Sequence, residues 1–167
     1  MCDSTWRNAD EMTRMLHVRS SRALANAIYQ IAYKHNLQNA KQVNLVFAPT
    51  GAGKTTVSKQ LAKENPHAIT VDGVIETFEK IKEMIKAATE QGCKVSVVYI
   101  HSPGIKTAQR AIQRAEKNGV SVRLEATVNR NTQYRQQIRD AAELYKDDPS
   151  VCFDLWVNSQ NETQTLP

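Results

Sequence analysis

Apolar and polar residues alternate along the chain in two different rhythms from residue 43 onward. Short apolar runs, of the length of strands, are separated by longer stretches in which apolar residues recur every three or four positions. The most regular of these stretches extends from Val74 to Ala88 and predicts an amphipathic helix that ends near Gly92. The four runs that predict strands are VNLVF (43–47), HAITVD (67–72), KVSVVYI (94–100) and SVCFDLWV (150–157).

This alternation of strands and helices predicts an α/β fold in three layers, with a small parallel sheet flanked by helices on both faces. A further helix is expected to begin at Ser102-Pro103, and another at Asn131, which can cap it. The segment GVSVRLE (119–125) fits either a short strand or a loop. The pattern divides the chain into a helical N-terminal extension (1–42), the α/β domain (43–159) and a frayed tail (160–167).

The N-terminal extension carries its own helical pattern. Leu24, Ile28 and Ile31 are spaced by four and three residues, and Ser20 or Ser21 can cap the helix that contains them. A shorter amphipathic piece, with Met12, Met15 and Leu16 on one side, precedes it.

The strongest motif lies directly between the first predicted strand and the helix that follows it. Its glycines let successive backbone N–H groups turn toward a phosphate, and the helix N-terminus adds a positive end. Lys54 is placed to reach the β- and γ-phosphate oxygens, and the Thr55 hydroxyl to bind Mg²⁺. The segment APTGAGKTT therefore predicts a P-loop that binds ATP or GTP through Thr50, Gly51, Ala52, Gly53, Lys54, Thr55 and Thr56.

A P-loop predicts a nucleotide but not a reaction, which needs a carboxylate nearby. Asp72 directly ends an apolar strand, and in parallel sheets ligands bind at the carboxyl ends of strands. It is the candidate both for ordering Mg²⁺ and for taking the proton from an acceptor hydroxyl. Glu76 is the second choice, and His101, which ends the third predicted strand, is a weaker candidate for a ligand or base.

Charge is unevenly distributed in the second half of the chain. Residues 104–139 carry eight basic and two acidic side chains, a local net charge of +6. Arg110 and Arg114 are four residues apart on one predicted helix face, and such arginines close over a triphosphate in kinases. We expect a lid at about residues 104–130, with at least one of Arg114, Arg123 and Arg130 acting on the nucleotide.

Several classes of protein are disfavoured. The three cysteines, Cys2, Cys93 and Cys152, are far apart and form no CxxC pair, which disfavours a disulfide framework or a zinc site. No apolar run has the length of a membrane span, and the polar N-terminus has no hydrophobic signal segment. We expect a cytoplasmic protein with no membrane partner.

Taken together, these residues resemble the zeta-toxin family of P-loop kinases, especially its short members borne on mobile elements. The resemblance covers roughly residues 43–159. It is carried by the P-loop, by TVDGVIETFEKIKEMIKAATEQGCKVSVVYIHSPG (70–104), and by AIQRAEKNGVSVRL (111–124) followed by DDPSVCFDLWVNS (147–159).

The resemblance implies ATP-dependent phosphorylation of a hydroxyl on a small molecule, which in known members is a UDP-N-acetyl amino sugar. It also implies Mg²⁺ and an antitoxin-like protein partner, which we place at the N-terminal helices. Lys54, Thr55 and Asp72 match the family's site, and Arg114 matches a lid arginine. Val74 stands where the family has a threonine, and Val120 where it has an arginine, so Arg123 is the candidate substitute.

Two other functions remain open at this point. The basic segment 104–139 also suits a P-loop ATPase or polynucleotide kinase that acts on nucleic acid, although Tyr134 is the one aromatic residue there that could stack on a base. Larger zeta toxins carry their general base on a segment between the P-loop and the acid-glycine turn. Because Asp72 follows Thr55 closely here, that segment is missing, which suits a nucleotide-binding partner module without catalysis.

Overall fold

The structure is a computed structural model of the whole chain. It describes the backbone of residues 24, 27, 28, 30–49, 51–72, 77–118, 124–159 and 162–165. At positions 114, 118, 124–128, 130, 131, 159 and 162–165 the structure describes the backbone but not the side chain. The chain divides into two compact units, Met1–Gln38 and Asn39–Pro167. The predicted caps Ser20 and Ser21 and the apolar residues Met12, Met15 and Leu16 lie outside the described residues.

Four parallel strands and one antiparallel edge strand form the sheet of the second unit. Their spatial order is β2-β1-β3-β4-β5, and the antiparallel pair is β4 with β5. All four predicted strands are therefore present in one sheet, and they are parallel to one another. The strands are β1 (Gln42–Phe47), β2 (Ile69–Val71), β3 (Lys94–His101), β4 (Val151–Ser159) and β5 (Glu162–Thr165).

Helices cover this sheet, as an α/β fold requires. Their bounds are α2 (Lys54–Glu64), α3 (Phe78–Glu90), α4 (Gly104–Asn118) and α5 (Leu124–Leu144). The first unit contains its own helix, α1, at residues 30–37. No helix in the described part of the chain combines the length and apolar character that a membrane crossing needs.

The core lies between the sheet and its helices and is aliphatic. Val43, Leu45 and Val46 on the interior strand β1 are completely buried, as expected for a strand covered on both faces. Ile81 and Ile85 of α3 are also completely buried, so the periodicity that predicted this helix gives its buried face correctly. The side chain of Thr77 caps α3 by accepting a hydrogen bond from the Lys80 amide at 3.3 Å.

The structure differs from the sequence expectation in two segments near the end of the chain. Helix α5 begins at Leu124 rather than at Asn131, so the last two residues of the ambiguous segment 119–125 are helical. Residues 119–123 lie outside the described part. The expected frayed tail contains strand β5, whose backbone pairs with β4 through Trp156–Thr165 and Val157–Gln164. A polar strand at a sheet edge gains backbone hydrogen bonds without needing an apolar pattern.

The helix of the first unit has apolar residues on two faces, and the structure exposes one of them. Leu24, Ile28 and Ile31 are exposed, at 64%, 58% and 71% of their surface. Tyr33 and Leu37, four residues apart on another face, are 4% and 2% exposed. The helical spacing is as predicted, but the buried positions are Tyr33 and Leu37.

Candidate active site

The loop between β1 and α2 has the backbone shape that a phosphate site needs. Gly51 and Gly53 have φ values of +83° and +96°, a region that L-residues rarely adopt. Gly53 is also the N-cap of α2, so the left-handed turn ends at the first helical residue, Lys54. The Gly53 carbonyl accepts from the amides of Thr56 and Val57 at 3.0 and 3.2 Å. Thr50 lies outside the described residues.

The N-terminus of α2 is an electropositive end directed at this loop. Amide N–H groups in the first turn of a helix have no acceptor within the helix, and the helix dipole adds partial positive charge there. The first turn of α2 holds no acidic residue, and both Thr55 and Thr56 are exposed. An anion placed at this point would meet N–H donors, hydroxyl groups and the Lys54 ammonium.

Lys54 and Asp72 come from different elements and lie close enough to interact. Burial lowers the pKa of the Lys54 ammonium below its ordinary value of 10.5, and the negative charge of nearby Asp72 opposes that shift. Asp72 directly follows β2 and is partly buried. The structure therefore brings the P-loop lysine and this carboxylate close together, while their roles stay predictions. Gly73, Val74 and Glu76 lie outside the described residues.

The residues at this edge would suit Mg²⁺ together with a nucleotide. Mg²⁺ prefers oxygen ligands and is often held by one or two protein groups together with phosphates and waters. Thr55 offers an exposed hydroxyl at the start of α2, and Asp72 offers a carboxylate close to Lys54. This donor set fits the metal that the motif implies.

Comparison with known sequences identifies the protein's family. The sequence profile of the zeta toxins matches residues 25–146, from within the first unit to just after α5. This chain belongs to the zeta-toxin family. The matched part includes the P-loop and Asp72.

The fold of this zeta-toxin family member is also found in a solved structure. The crystal structure of AvrRxo1-ORF1 in complex with AvrRxo1-ORF2, which contains sulphate ions, has a TM-score of 0.59 against this chain at 16% identity. The alignment covers 95% of this chain and 68% of that chain. At this identity the likeness shows the fold, which is that of a zeta-toxin-like P-loop kinase. A search of curated proteins found no match.

Two side chains from outside the loop bind its backbone in this zeta-toxin family member. Arg110, on α4, donates from Nη1 to the Gly51 carbonyl at 3.1 Å. Asn158, near the end of β4, donates from Nδ2 to the Ala52 carbonyl at 2.9 Å. Sequence reasoning treated Arg110 as part of a lid and missed Asn158. The signal for Asn158 was the one used for Asp72, namely a polar residue at the carboxyl end of a parallel strand.

The predicted lid arginines are only partly described. Arg114 lies on α4, one turn beyond Arg110, but its side chain lies outside the described residues, as does all of Arg123. Arg130 lies on α5 and its side chain is likewise not described. Their action on the nucleotide stays a prediction.

His101 lies at the carboxyl end of β3, the strand that pairs with the P-loop strand β1. Burial lowers the pKa of His101, and the positive charge of Arg135 on α5 lowers it further. Burial raises the pKa of the Tyr99 phenol, an effect that Arg135 opposes. His101 is therefore favoured in its neutral form, and Arg135 is a charged residue near the site that sequence reasoning did not single out.

The lowered pKa of His101 predicts a pH dependence of stability. Because the folded state disfavours the protonated imidazole, the unfolded chain binds this proton first as the pH falls through the ordinary value of about 6.5. The free energy of unfolding should therefore decrease between about pH 7.5 and pH 5.5. Thermal unfolding at several pH values should show a smaller decrease for His101→Gln than for the wild type. An identical decrease in both proteins would contradict this assignment.

Proposed function

We propose that this protein is an ATP-dependent phosphotransferase that transfers the γ-phosphate to a hydroxyl group of a small molecule. The observation that carries the proposal is the partly buried Lys54 at the N-terminus of α2, with Asp72 close enough to influence its pKa. A glycine-rich turn without a ligand would not need a lysine there, because its burial costs solvation energy. A triphosphate recovers that cost by pairing with the ammonium. GTP is the alternative donor.

The roles of the residues follow from their positions. The P-loop amides and Lys54 hold the β- and γ-phosphates, and Lys54 stabilises the charge that spreads over the transferred group. Asp72 accepts the proton of the attacking hydroxyl. Thr55 and Asp72 would hold Mg²⁺, which neutralises phosphate charge when bound. The acceptor proposed from the family resemblance is a UDP-N-acetyl amino sugar.

Transfer of labelled phosphate tests this proposal directly. The protein is incubated with γ-labelled ATP and Mg²⁺, with UDP-N-acetylglucosamine in one sample and a 5′-hydroxyl oligonucleotide in another. We expect label on the sugar nucleotide and none on the oligonucleotide. Label on the oligonucleotide would instead make the protein a polynucleotide kinase. A sample in which ATP stays intact with every hydroxyl compound supplied would favour a nucleotide-binding module without catalysis.

Arg114 and Arg123 are proposed to act on the transferring phosphoryl group from a lid. Because such arginines stabilise charge that develops during transfer, Arg114→Ala should slow transfer more than it weakens ATP binding. A loss of about tenfold or more in rate, with less than a threefold change in ATP affinity, is the expected scale. Lys117→Ala, which removes an exposed charge from the same helix, is the control and should change neither quantity. Equal losses in rate and affinity for Arg114→Ala would contradict a lid role.

A protein partner is proposed at the N-terminal helices. AvrRxo1-ORF1, which shares this fold, was crystallised with AvrRxo1-ORF2. The exposed Leu24, Ile28 and Ile31 offer apolar surface of the kind that protein interfaces use. These observations support an antitoxin-like partner at this end of the chain.

A further inference from the structure

Two neighbouring carbonyl groups of the phosphate loop are held by side chains from two different elements. The Gly51 carbonyl accepts from Arg110 Nη1 at 3.1 Å, and the Ala52 carbonyl accepts from Asn158 Nδ2 at 2.9 Å. The donors are 59 and 106 residues away along the chain. One comes from α4, and the other from the last parallel strand. The loop is thus held on two sides by side chains of the chain itself.

These two contacts fix the direction of the amide groups that follow them. In a planar trans peptide the C=O and the next N–H point in opposite directions. The Gly51 carbonyl on Arg110 therefore fixes the Ala52 N–H, which donates to the Pro49 carbonyl at 3.1 Å and closes the turn. In the same way, the Ala52 carbonyl on Asn158 turns the Gly53 N–H away from Asn158. We propose that Arg110 and Asn158 are positioning residues that hold the loop in its phosphate-accepting form before the nucleotide binds.

Close packing supports this role. A Cβ atom on Gly51 would lie 3.1 Å from the Thr107 carbonyl oxygen and 3.2 Å from the Arg110 Cβ. A Cβ atom on Gly53 would lie 2.9 Å from Asn158 Nδ2. Both glycines thus allow the loop to approach its two supports, in addition to adopting positive φ angles. The loop backbone and its supports fit each other closely.

Holding the loop in this way would raise nucleotide affinity, because the loop backbone becomes ordered when the chain folds and not when the nucleotide binds. A glycine-rich loop loses more backbone entropy on ordering than any other sequence. When the loop is already held, the nucleotide does not pay that cost, and its affinity is higher. The inference rests on the proposed function, because it requires that the loop binds a nucleotide. It adds to the family site, because Asn158 lies outside the part of the chain that the zeta-toxin profile matches.

A positioning role and a lid role for Arg110 predict different binding results. The test measures the affinity of the full chain for Mg²⁺-ADP, and for Mg²⁺-ADP with aluminium fluoride, which mimics the transferring phosphoryl group. A residue that only holds the loop affects both complexes equally. A lid residue affects the aluminium fluoride complex more, because it acts on the charge of the transferring group.

We expect Arg110→Ala and Asn158→Ala each to weaken both complexes by the same factor, about three- to tenfold, as for one lost hydrogen bond. Asn158→Asp keeps the shape but removes the donor and should lose at least as much affinity. Gln109→Ala, an exposed neighbour of Arg110 on α4, is the control and should bind as the wild type does. Circular dichroism and thermal unfolding of the unliganded variants show whether each one is folded at the temperature of the titration.

Three results would overturn the inference. Folded Asn158→Ala and Asn158→Asp that bind Mg²⁺-ADP as the wild type does would show that the contact only stabilises the fold. A loss for Arg110→Ala confined to the aluminium fluoride complex would make Arg110 a lid residue. A wild type that binds neither complex would overturn the proposed function together with this inference, whereas the first two results leave the proposed function standing.

Discussion

Replacing Asp72 with Asn should lower phosphoryl transfer about 10²-fold or more, which is the usual contribution of a general base. Asparagine keeps the size of the side chain but can neither accept the hydroxyl proton nor carry the charge that faces Lys54. The measurement is the rate at which γ-labelled phosphate leaves ATP for an acceptor hydroxyl, with the wild type measured beside the variant. Thermal unfolding should be close to that of the wild type, because Asp72 is only partly buried.

Asp147→Asn is the matched control, since Asp147 is an exposed aspartate just after α5. It should transfer phosphate at the wild-type rate. If Asp72→Asn also transferred at nearly that rate, the base would have to be another residue, and Glu76 would be the next to replace.

Lys54→Ala should weaken ATP binding about tenfold or more. The ammonium makes charge-assisted hydrogen bonds to two crowded phosphates, and a contact of this kind contributes about 1.5–3 kcal/mol. Burial already disfavours the charged lysine in the unliganded protein, as its lowered pKa shows. Calorimetry should show the loss of ATP affinity, and thermal unfolding should show that the variant is folded at the temperature of the titration.

Lys59→Ala provides the comparison, because Lys59 is an exposed lysine on the same helix. It should leave ATP affinity unchanged, which separates the effect of Lys54 from a general loss of positive charge. Unchanged affinity in Lys54→Ala would mean that the loop is not the nucleotide site.

The P-loop could be predicted from the sequence because the residues that define it are adjacent in the chain. The P-loop occupies nine consecutive residues, 48–56, and the strand before it and the helix after it are visible in the hydrophobic pattern. Asp72 required only the rule that parallel strands end at one edge of a sheet. The interaction of Asp72 with Lys54 agrees with that reasoning.

The sequence could mark Asn158 as a polar residue at the carboxyl end of a strand, but it could not predict the contacts of Asn158 and Arg110 with the loop, because these depend on how distant elements pack. Arg110 and Asn158 reach the loop from 59 and 106 residues away, and no spacing in the sequence encodes such a contact. Arg135 is one of many arginines in a basic segment, and only the packing of α5 brings its charge near His101. The resemblance to the family also offered no help with Asn158, which lies beyond the matched residues.

The remaining differences arise where local preference is weak. The segment around Leu124 contains residues that also suit strands, and Asn131, a common cap residue, lies within α5 instead of at its start. Propensity is a weak guide at such positions, because tertiary packing overrides it. The N-terminal helix has two apolar faces, and spacing alone does not show that Tyr33 and Leu37 are buried while Ile31 is exposed.

A crystal structure with a non-hydrolysable ATP analogue and Mg²⁺ tests the central claim most directly. The account predicts the β- and γ-phosphates at the N-terminus of α2, within hydrogen-bond distance of Lys54 Nζ and the loop amides. It also predicts space for a hydroxyl group between the γ-phosphate and Asp72. A nucleotide bound elsewhere, or a γ-phosphate separated from Asp72 by protein atoms with no room for an acceptor, would contradict it.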